Sequence, residues 1–122
     1  MVALLMLAFI PIATASTDHC TETGTQSANN MIGTPDHDFI CAHAGQDYAN
    51  GKAAADVVRG GKGNDTLVGG DGPDVIYGRV GDDQIFATDQ EPNDRIDGGP
   101  GKDRCYGDVG VSFTRCEHKV VI

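Results

Sequence analysis

The chain has 122 residues, enough for one domain, and its composition leaves little material for an apolar core. Apolar residues make up 39% of it and aromatic residues 6%, tryptophan is absent, and 18 acidic residues outnumber 9 basic ones. The net charge of −9 argues against nucleic acid as a partner, because a phosphate backbone attracts basic surfaces, and it favours cations instead.

The first segment, residues 1–15, has no charged side chain and contains a continuous apolar run over residues 2–10. It ends in Ala13–Thr14–Ala15, the small-residue pattern at which signal peptides are cut. We therefore expect residues 1–15 to be a signal peptide and the mature protein to be secreted. The run is shorter than the about 20 residues of a membrane span. Because no basic residue precedes it, a buried N-terminal strand is the alternative.

The second segment, residues 16–32, is expected to be an N-terminal cap with a degenerate first repeat. From Gly24 onwards it keeps the frame of the repeats described below, with Asn29 and Met31 in the positions that aspartate and an aliphatic residue fill elsewhere. A cap is needed at this point because the open edge of a sheet pairs readily with another chain.

The third segment, residues 33–106, repeats with a period of nine. Copies that begin at Gly60, Gly69 and Gly78 share glycines at positions one and four, aspartate at six and an aliphatic residue at eight; we call these positions slots. Slot six holds Asp38, Asp47, Asp56, Asp65, Asp74, Asp83, Asp94 and Asp103. Slot eight holds Ile40, Ala49, Val58, Leu67, Ile76, Ile85 and Ile96. The copy over residues 87–97 carries two extra residues. Such periodicity indicates a solenoid.

The slot pattern predicts local structure. Glycine, aspartate and asparagine in slots one to six favour tight turns with positive φ. Slots seven to nine, as in Thr66–Leu67–Val68, suit a three-residue strand in which the slot-eight side chain points inward and its neighbours point outward. One turn and one strand make half a winding. Two repeats therefore complete a winding, and alternate repeats stack on each other at about 4.8 Å.

The last segment, residues 107–122, is expected to cap the other end, because residues 111–115 and 119–122 alternate or run apolar. The chain has four cysteines, an even number that favours disulfides in an exported protein. Their locations favour one bridge at each end, Cys20–Cys41 and Cys105–Cys116. Two other pairings, or free thiols, remain open.

These repeats resemble the RTX (repeats-in-toxin) family, also called hemolysin-type calcium-binding repeats, from about Gly24 to Tyr106. The Gly–Thr starts of the early copies, Ile40–Cys41 and the closing Cys105 to Glu117 are similar to small exported bacterial versions. The resemblance implies an all-β fold, a right-handed parallel β-roll (β-solenoid) with disulfide-tied ends, and calcium bound in the turns.

The stacking places the slot-six aspartates in two rows. One row contains Asp38, Asp56, Asp74 and Asp94, and the other contains Asp47, Asp65, Asp83 and Asp103. Carboxylates this close repel each other unless a divalent ion lies between them. Ca²⁺ binds about six to eight oxygens at about 2.3–2.6 Å in flexible geometry, whereas Mg²⁺ requires a stricter octahedron, so calcium is the expected ion.

All eight aspartates are predicted metal ligands, with Asp65 and Asp83 as the best pair because their turns carry the most glycines. We expect about two to five ions in all. The insertion after Phe86 puts the geometry of Asp94 and Asp103 in question. The predicted backbone ligands are the turn glycines Gly60, Gly61, Gly63, Gly69, Gly70, Gly72, Gly78, Gly81, Gly98, Gly99 and Gly101.

The sequence contains no catalytic motif around His19, His37, His43 or His118, so enzyme activity is not expected. Aspartates that recur in rows indicate stoichiometric binding instead. The main functional hypothesis is a secreted module that folds or is stabilised when it binds Ca²⁺. The alternatives are a cell-surface or matrix interaction protein with structural calcium and an unknown partner, or an accessory module related to a toxin or protease.

Overall fold

The computed structural model describes residues 19–122, and the predicted signal peptide lies outside this range. The described residues form twelve strands and no helix, so they include no membrane-spanning helix. The strands are β1 (Glu22–Thr23), β2 (Asn30–Ile32), β3 (Phe39–Ala44), β4 (Tyr48–Ala53), β5 (Val57–Lys62), β6 (Thr66–Asp71), β7 (Val75–Val80), β8 (Gln84–Ala87), β9 (Arg95–Asp97), β10 (Arg104–Gly107), β11 (Ser112–Thr114) and β12 (His118–Val121).

The strands form two parallel six-stranded sheets, one of the odd-numbered and one of the even-numbered strands. Each strand is paired with the strand two places later, so the chain alternates between the sheets and completes a winding every two strands. In the regular part the partners are 18 residues apart, as for Val58 with Ile76 and Leu67 with Ile85. The predicted parallel β-roll of paired nonapeptides is confirmed.

The core is the thin space between the two sheets, and the slot-eight side chains fill it. Ile40, Val58 and Ile76 from the odd sheet, and Leu67 and Ile85 from the even sheet, are all 0% exposed. The inward orientation predicted for slot eight is therefore confirmed. Because each winding contributes only two such side chains, burial of apolar area supplies little stability per winding.

The strands are longer than the three residues that the slot pattern predicted. Strands β3 to β7 each have six residues, because pairing continues from slots seven to nine into slots one to three of the next repeat. In β5, for example, Gly61 pairs with Arg79 of β7. Glycine in slot one is buried like slot eight, since the sheets lie close together there. The turn proper is thus shorter than expected.

The ends of the roll are tied by the two disulfides that the cysteine positions favoured, Cys20–Cys41 and Cys105–Cys116. Cys105 occupies slot eight of the last copy and is 0% exposed. The second disulfide therefore lies in the core, where the other copies have an aliphatic side chain. Strands β1 and β2 begin the roll, and β11 and β12 close it as ordinary parallel rungs.

Backbone conformation explains glycine in slots two and four. The φ angles of Gly61, Gly63, Gly81 and Gly101 lie between 119° and 146°, a region that other residues avoid. A Cβ on Gly63 would also overlap the carbonyl oxygen of Gly45 in the preceding winding. In these copies slot-four glycine therefore serves both conformation and space.

We expect Gly63→Ala to lower the free energy of unfolding by roughly 1–3 kcal/mol, through backbone strain and the close approach of that carbonyl. Ala54→Gly is the matched control, because Ala54 occupies the same slot with φ of 78° and glycine tolerates that angle. The control should change stability by less than about 1 kcal/mol. Urea unfolding in saturating calcium measures both, and equal losses would contradict the assignment.

Candidate metal centres on two aspartate rows

The eight slot-six aspartates lie at the last turn position before a strand, and every one of them is buried, between 0% and 7% exposed. They form two rows along the two edges of the roll. We call them the Asp65 ladder, which contains Asp47, Asp65, Asp83 and Asp103, and the Asp74 ladder, which contains Asp38, Asp56, Asp74 and Asp94. Fully buried aspartate is rare unless something compensates its charge.

One oxygen of each carboxylate is used by the fold. In six of the eight aspartates the backbone N–H donates to Oδ1 of the aspartate one winding later, at 2.8–2.9 Å. Asp65 N–H thus bonds Asp83 Oδ1, and Asp74 N–H bonds Asp94 Oδ1. The bond to Asp94 spans the insertion and keeps its 2.8 Å length, and residues 90–93 of the inserted segment are exposed. The insertion therefore leaves the rows in register.

The second oxygen, Oδ2, is buried and receives no hydrogen bond from any described residue in seven of the eight aspartates. These seven are Asp47, Asp56, Asp65, Asp74, Asp83, Asp94 and Asp103. In five of them Oδ2 packs against the slot-one glycine of its own repeat, where a Cβ would overlap it. Slot-one glycine thus makes room for a carboxylate oxygen that lacks a protein partner.

Backbone carbonyls of the same turns supply further oxygens. Along the Asp65 ladder, the carbonyl oxygens of Gly45, Gly63 and Gly81 point toward the slot-four glycine of the next winding. Because glycine has no Cβ, it leaves room for these oxygens. Each turn therefore combines carboxylate and carbonyl oxygens, which are hard ligands.

This donor set fits Ca²⁺ and does not fit a transition metal. Among the described residues, no three side chains of histidine, cysteine, aspartate or glutamate converge on one point. A cage of nitrogen or sulfur ligands is thus absent from this part of the chain, and a bound cation must take carbonyl oxygens as well as carboxylates. Calcium binds such mixed oxygen sets, and its charge would pair with the buried Oδ2 atoms.

Burial also changes the acidity of the ladder. It raises the pKa of Asp56 from 3.8 to about 6 and the pKa of Asp74 and Asp83 to about 7. The N–H donated to each carboxylate acts in the opposite sense, and neighbouring carboxylates raise the pKa further. Near neutral pH a buried ladder therefore needs either protons or a cation.

The two ladders differ in their turns. All four turns of the Asp65 ladder have glycine in slot four, whereas the Asp74 ladder has Asp36, Ala54, Gly72 and Gln90 there. Ala54 and Gln90 adopt φ of 78° and 74°, so they keep the same backbone path under strain. The turns of the Asp65 ladder therefore avoid this strain in slot four, and the ranking of Asp65 and Asp83 as the best pair stays a prediction.

Asp38 is the exception among the predicted ligands. Its Oδ2 accepts hydrogen bonds from the Thr34 backbone N–H at 2.5 Å and from the Thr34 hydroxyl at 3.1 Å. In the repeat before it, Asn29 likewise accepts a bond from Thr25 N–H at 2.7 Å. The Gly–Thr starts of the first two copies therefore satisfy their slot-six oxygens with protein donors.

The predicted turn glycines have two different roles. Gly61, Gly63, Gly70, Gly72, Gly81, Gly99 and Gly101 have positive φ and shape the turns. Gly60, Gly69, Gly78 and Gly98 lie in slot one, where they make room for Oδ2. The carbonyl oxygen of Gly98 also accepts the N–H of Arg79. The slot-one glycines are thus better explained by space than as backbone ligands.

Glu117 is a ladder residue that the periodicity did not identify. Its Oε2 accepts the backbone N–H of Asp103 at 2.8 Å, which makes it the last rung of the Asp65 ladder. It lies 14 residues after Asp103 instead of 18, so it falls outside the frame. Glu117 lies directly before β12, just as Asp103 lies directly before β10. An acidic residue directly before a strand is the signal that could have revealed it.

Comparison with known proteins gives one match. The family model for RTX calcium-binding nonapeptide repeats, in four copies, matches residues 23–58, 59–90 and 93–113, which together exceed half of the chain. No curated protein and no solved structure matches the chain. The matched ranges include all eight slot-six aspartates.

Without divalent cations, the roll should lose order as pH rises. Because the folded pKa values are raised, protonated ladders stabilise the fold fully below the ordinary value of 3.8, and that contribution is lost as pH passes through about 6 to 7. Far-UV circular dichroism in EDTA should therefore show strand signal falling over this window. In the double variant Asp74→Asn/Asp83→Asn the decrease in strand signal should be smaller, because the asparagine amides do not titrate. Strand signal that increases with pH would contradict the mechanism.

Proposed function

The chain belongs to the RTX calcium-binding nonapeptide repeat family, and we propose that it is an extracellular calcium-binding protein whose β-roll is stabilised by the ions it binds. The observation that carries the proposal is the set of seven buried Oδ2 atoms that no described residue satisfies. A buried carboxylate without a partner costs several kcal/mol in an apolar medium, and a bound cation removes that cost.

The ions are proposed to lie between successive rungs of the ladders. Each would take Oδ2 atoms from the aspartates and carbonyl oxygens from the turns. The strongest sites are proposed to lie along the Asp65 ladder, since its slot-four glycines leave room for the carbonyl oxygens of the turns. Asp38 contributes least, because Thr34 already satisfies its Oδ2. About two to five ions remain the expected number.

Binding and stability are coupled in this proposal. The core holds two slot-eight side chains per winding, so the metal-free roll has little apolar burial to offset eight buried carboxyl groups. Ions that bind only the folded state add their binding free energy to its stability. Weak sites, with Kd around 10⁻⁴–10⁻³ M, suffice outside the cell.

Export is supported by two independent features. Residues 13–15 end an uncharged apolar leader in the pattern that precedes signal-peptidase cleavage. All four cysteines are paired in disulfides, which persist in oxidising compartments. Both features fit a protein that meets calcium only after secretion.

Calcium titration of the mature chain tests the proposal. Far-UV circular dichroism and isothermal calorimetry should show strand formation or stabilisation with heat exchange, and Mg²⁺ should substitute poorly. In Asp65→Asn/Asp83→Asn the calcium midpoint should rise by at least about tenfold, or about 1.4 kcal/mol. The amide keeps an oxygen for the ladder hydrogen bond but removes the charge.

Asp36→Asn/Asp71→Asn is the matched control, since it removes the same charge from two exposed aspartates outside the ladders. Its calcium midpoint should stay within about twofold of the parent value, as screened surface charges contribute little. Equal shifts in the two double variants would show that only overall charge attracts calcium, and the ladder assignment would fail.

A further inference from the structure

The outer face of the odd sheet is basic although the whole chain carries a net charge of −9. Four of the five arginines, Arg59, Arg79, Arg95 and Arg115, lie on this face or at its margin. They come from four successive windings. Arg79, Arg95 and Arg115 are exposed, and Arg59 is half-buried.

Three depressions join along this face into one shallow groove. The first is lined by Tyr77, Arg95 and Asp97, and the second by Tyr77, Arg79, Asp97 and Arg115. The third continues from Arg79 to Arg59. Neighbouring depressions share Tyr77, Asp97 or Arg79 as lining residues, so they lie next to each other along a path across the windings. We call this path the arginine groove.

The groove is partly preorganised. The guanidinium carbon of Arg59 lies 4.5 Å from the ring centroid of Phe39 and 5.9 Å from that of Tyr77, so two aromatic faces hold it. Arg115 makes two hydrogen bonds to Asp97, of 2.8 Å from Nε and 2.6 Å from Nη2. Asp97 is the acidic residue among those that line the three depressions.

From this combination we propose that the arginine groove binds an acidic polysaccharide, a chain of sugars that carry carboxylates. Guanidinium groups match carboxylates in geometry and charge. The Tyr77 ring offers a flat apolar surface to the carbon–hydrogen face of a sugar ring, and Asp97 offers an acceptor for hydroxyl groups. A polyphosphate chain has no sugar ring to lie against Tyr77.

The groove is separate from the calcium ladders. The ladders run along the edges of the roll, where the slot-six aspartates lie, whereas the groove crosses the outer face of one sheet. An anionic chain would be repelled by the acidic edges and attracted to the arginines of this face. Calcium and polysaccharide would therefore bind without competition for the same residues.

The test is fluorescence anisotropy with a labelled hyaluronan decasaccharide, at low ionic strength and saturating calcium so that the roll is fully formed. We expect saturable binding that weakens as salt increases. Arg79→Gln/Arg95→Gln should weaken it roughly tenfold, the loss of about 1.4 kcal/mol from two guanidinium contacts. Circular dichroism should remain that of the parent, since both side chains are exposed.

Lys102→Gln/Arg104→Gln is the matched control, because it removes the same charge from exposed residues elsewhere on the roll, Arg104 being in the even sheet. It should change affinity by less than about twofold. Equal weakening in both variants, or no binding at all, would overturn the proposal. If neutral dextran binds with the same affinity, the charge of the ligand plays no part in recognition and the proposal fails. If polyglutamate binds equally well, the groove recognises an acidic peptide and not a sugar, and the proposal also fails.

Discussion

The structure depends on one constraint: each winding buries a carboxylate directly above the carboxylate of the winding before, at a strand spacing of about 4.8 Å. Oδ1 of six of the eight aspartates accepts the backbone N–H of the aspartate in the preceding winding, and this bond fixes the register of the roll. Oδ2 is buried without a partner among the described residues in seven of eight cases. The aspartates that define the register therefore also carry the buried carboxylate oxygens that a cation would neutralise.

The glycine pattern follows from the same constraint. Slot-one glycines leave space for Oδ2, and those in slots two and four let the backbone turn with positive φ. This arrangement leaves each winding a core of two side chains, which the disulfides at the two ends reinforce. Acidic groups are concentrated at the edges, so the outer faces of the sheets are free for other contacts.

Much of this was predictable because slots six and eight each serve one purpose in every winding. The frame placed Asp65 and Asp83 in one row, and it directed Leu67 inward. The length of the strands was not predictable, since slots one to three pair only when a neighbouring winding is present. Glu117 was missed because the final winding is shorter than the frame. The protection of Asp38 by Thr34 depends on local side-chain geometry that a repeat pattern does not encode.

The most direct test of the central claim is anomalous diffraction from crystals grown in calcium. Peaks are expected along the Asp65 ladder, with Oδ2 of Asp65 and Asp83 within about 2.3–2.6 Å of an ion and carbonyl oxygens completing its shell. Peaks confined to exposed acidic residues such as Asp36 and Asp71, with the ladder oxygens still lacking a partner, would contradict it.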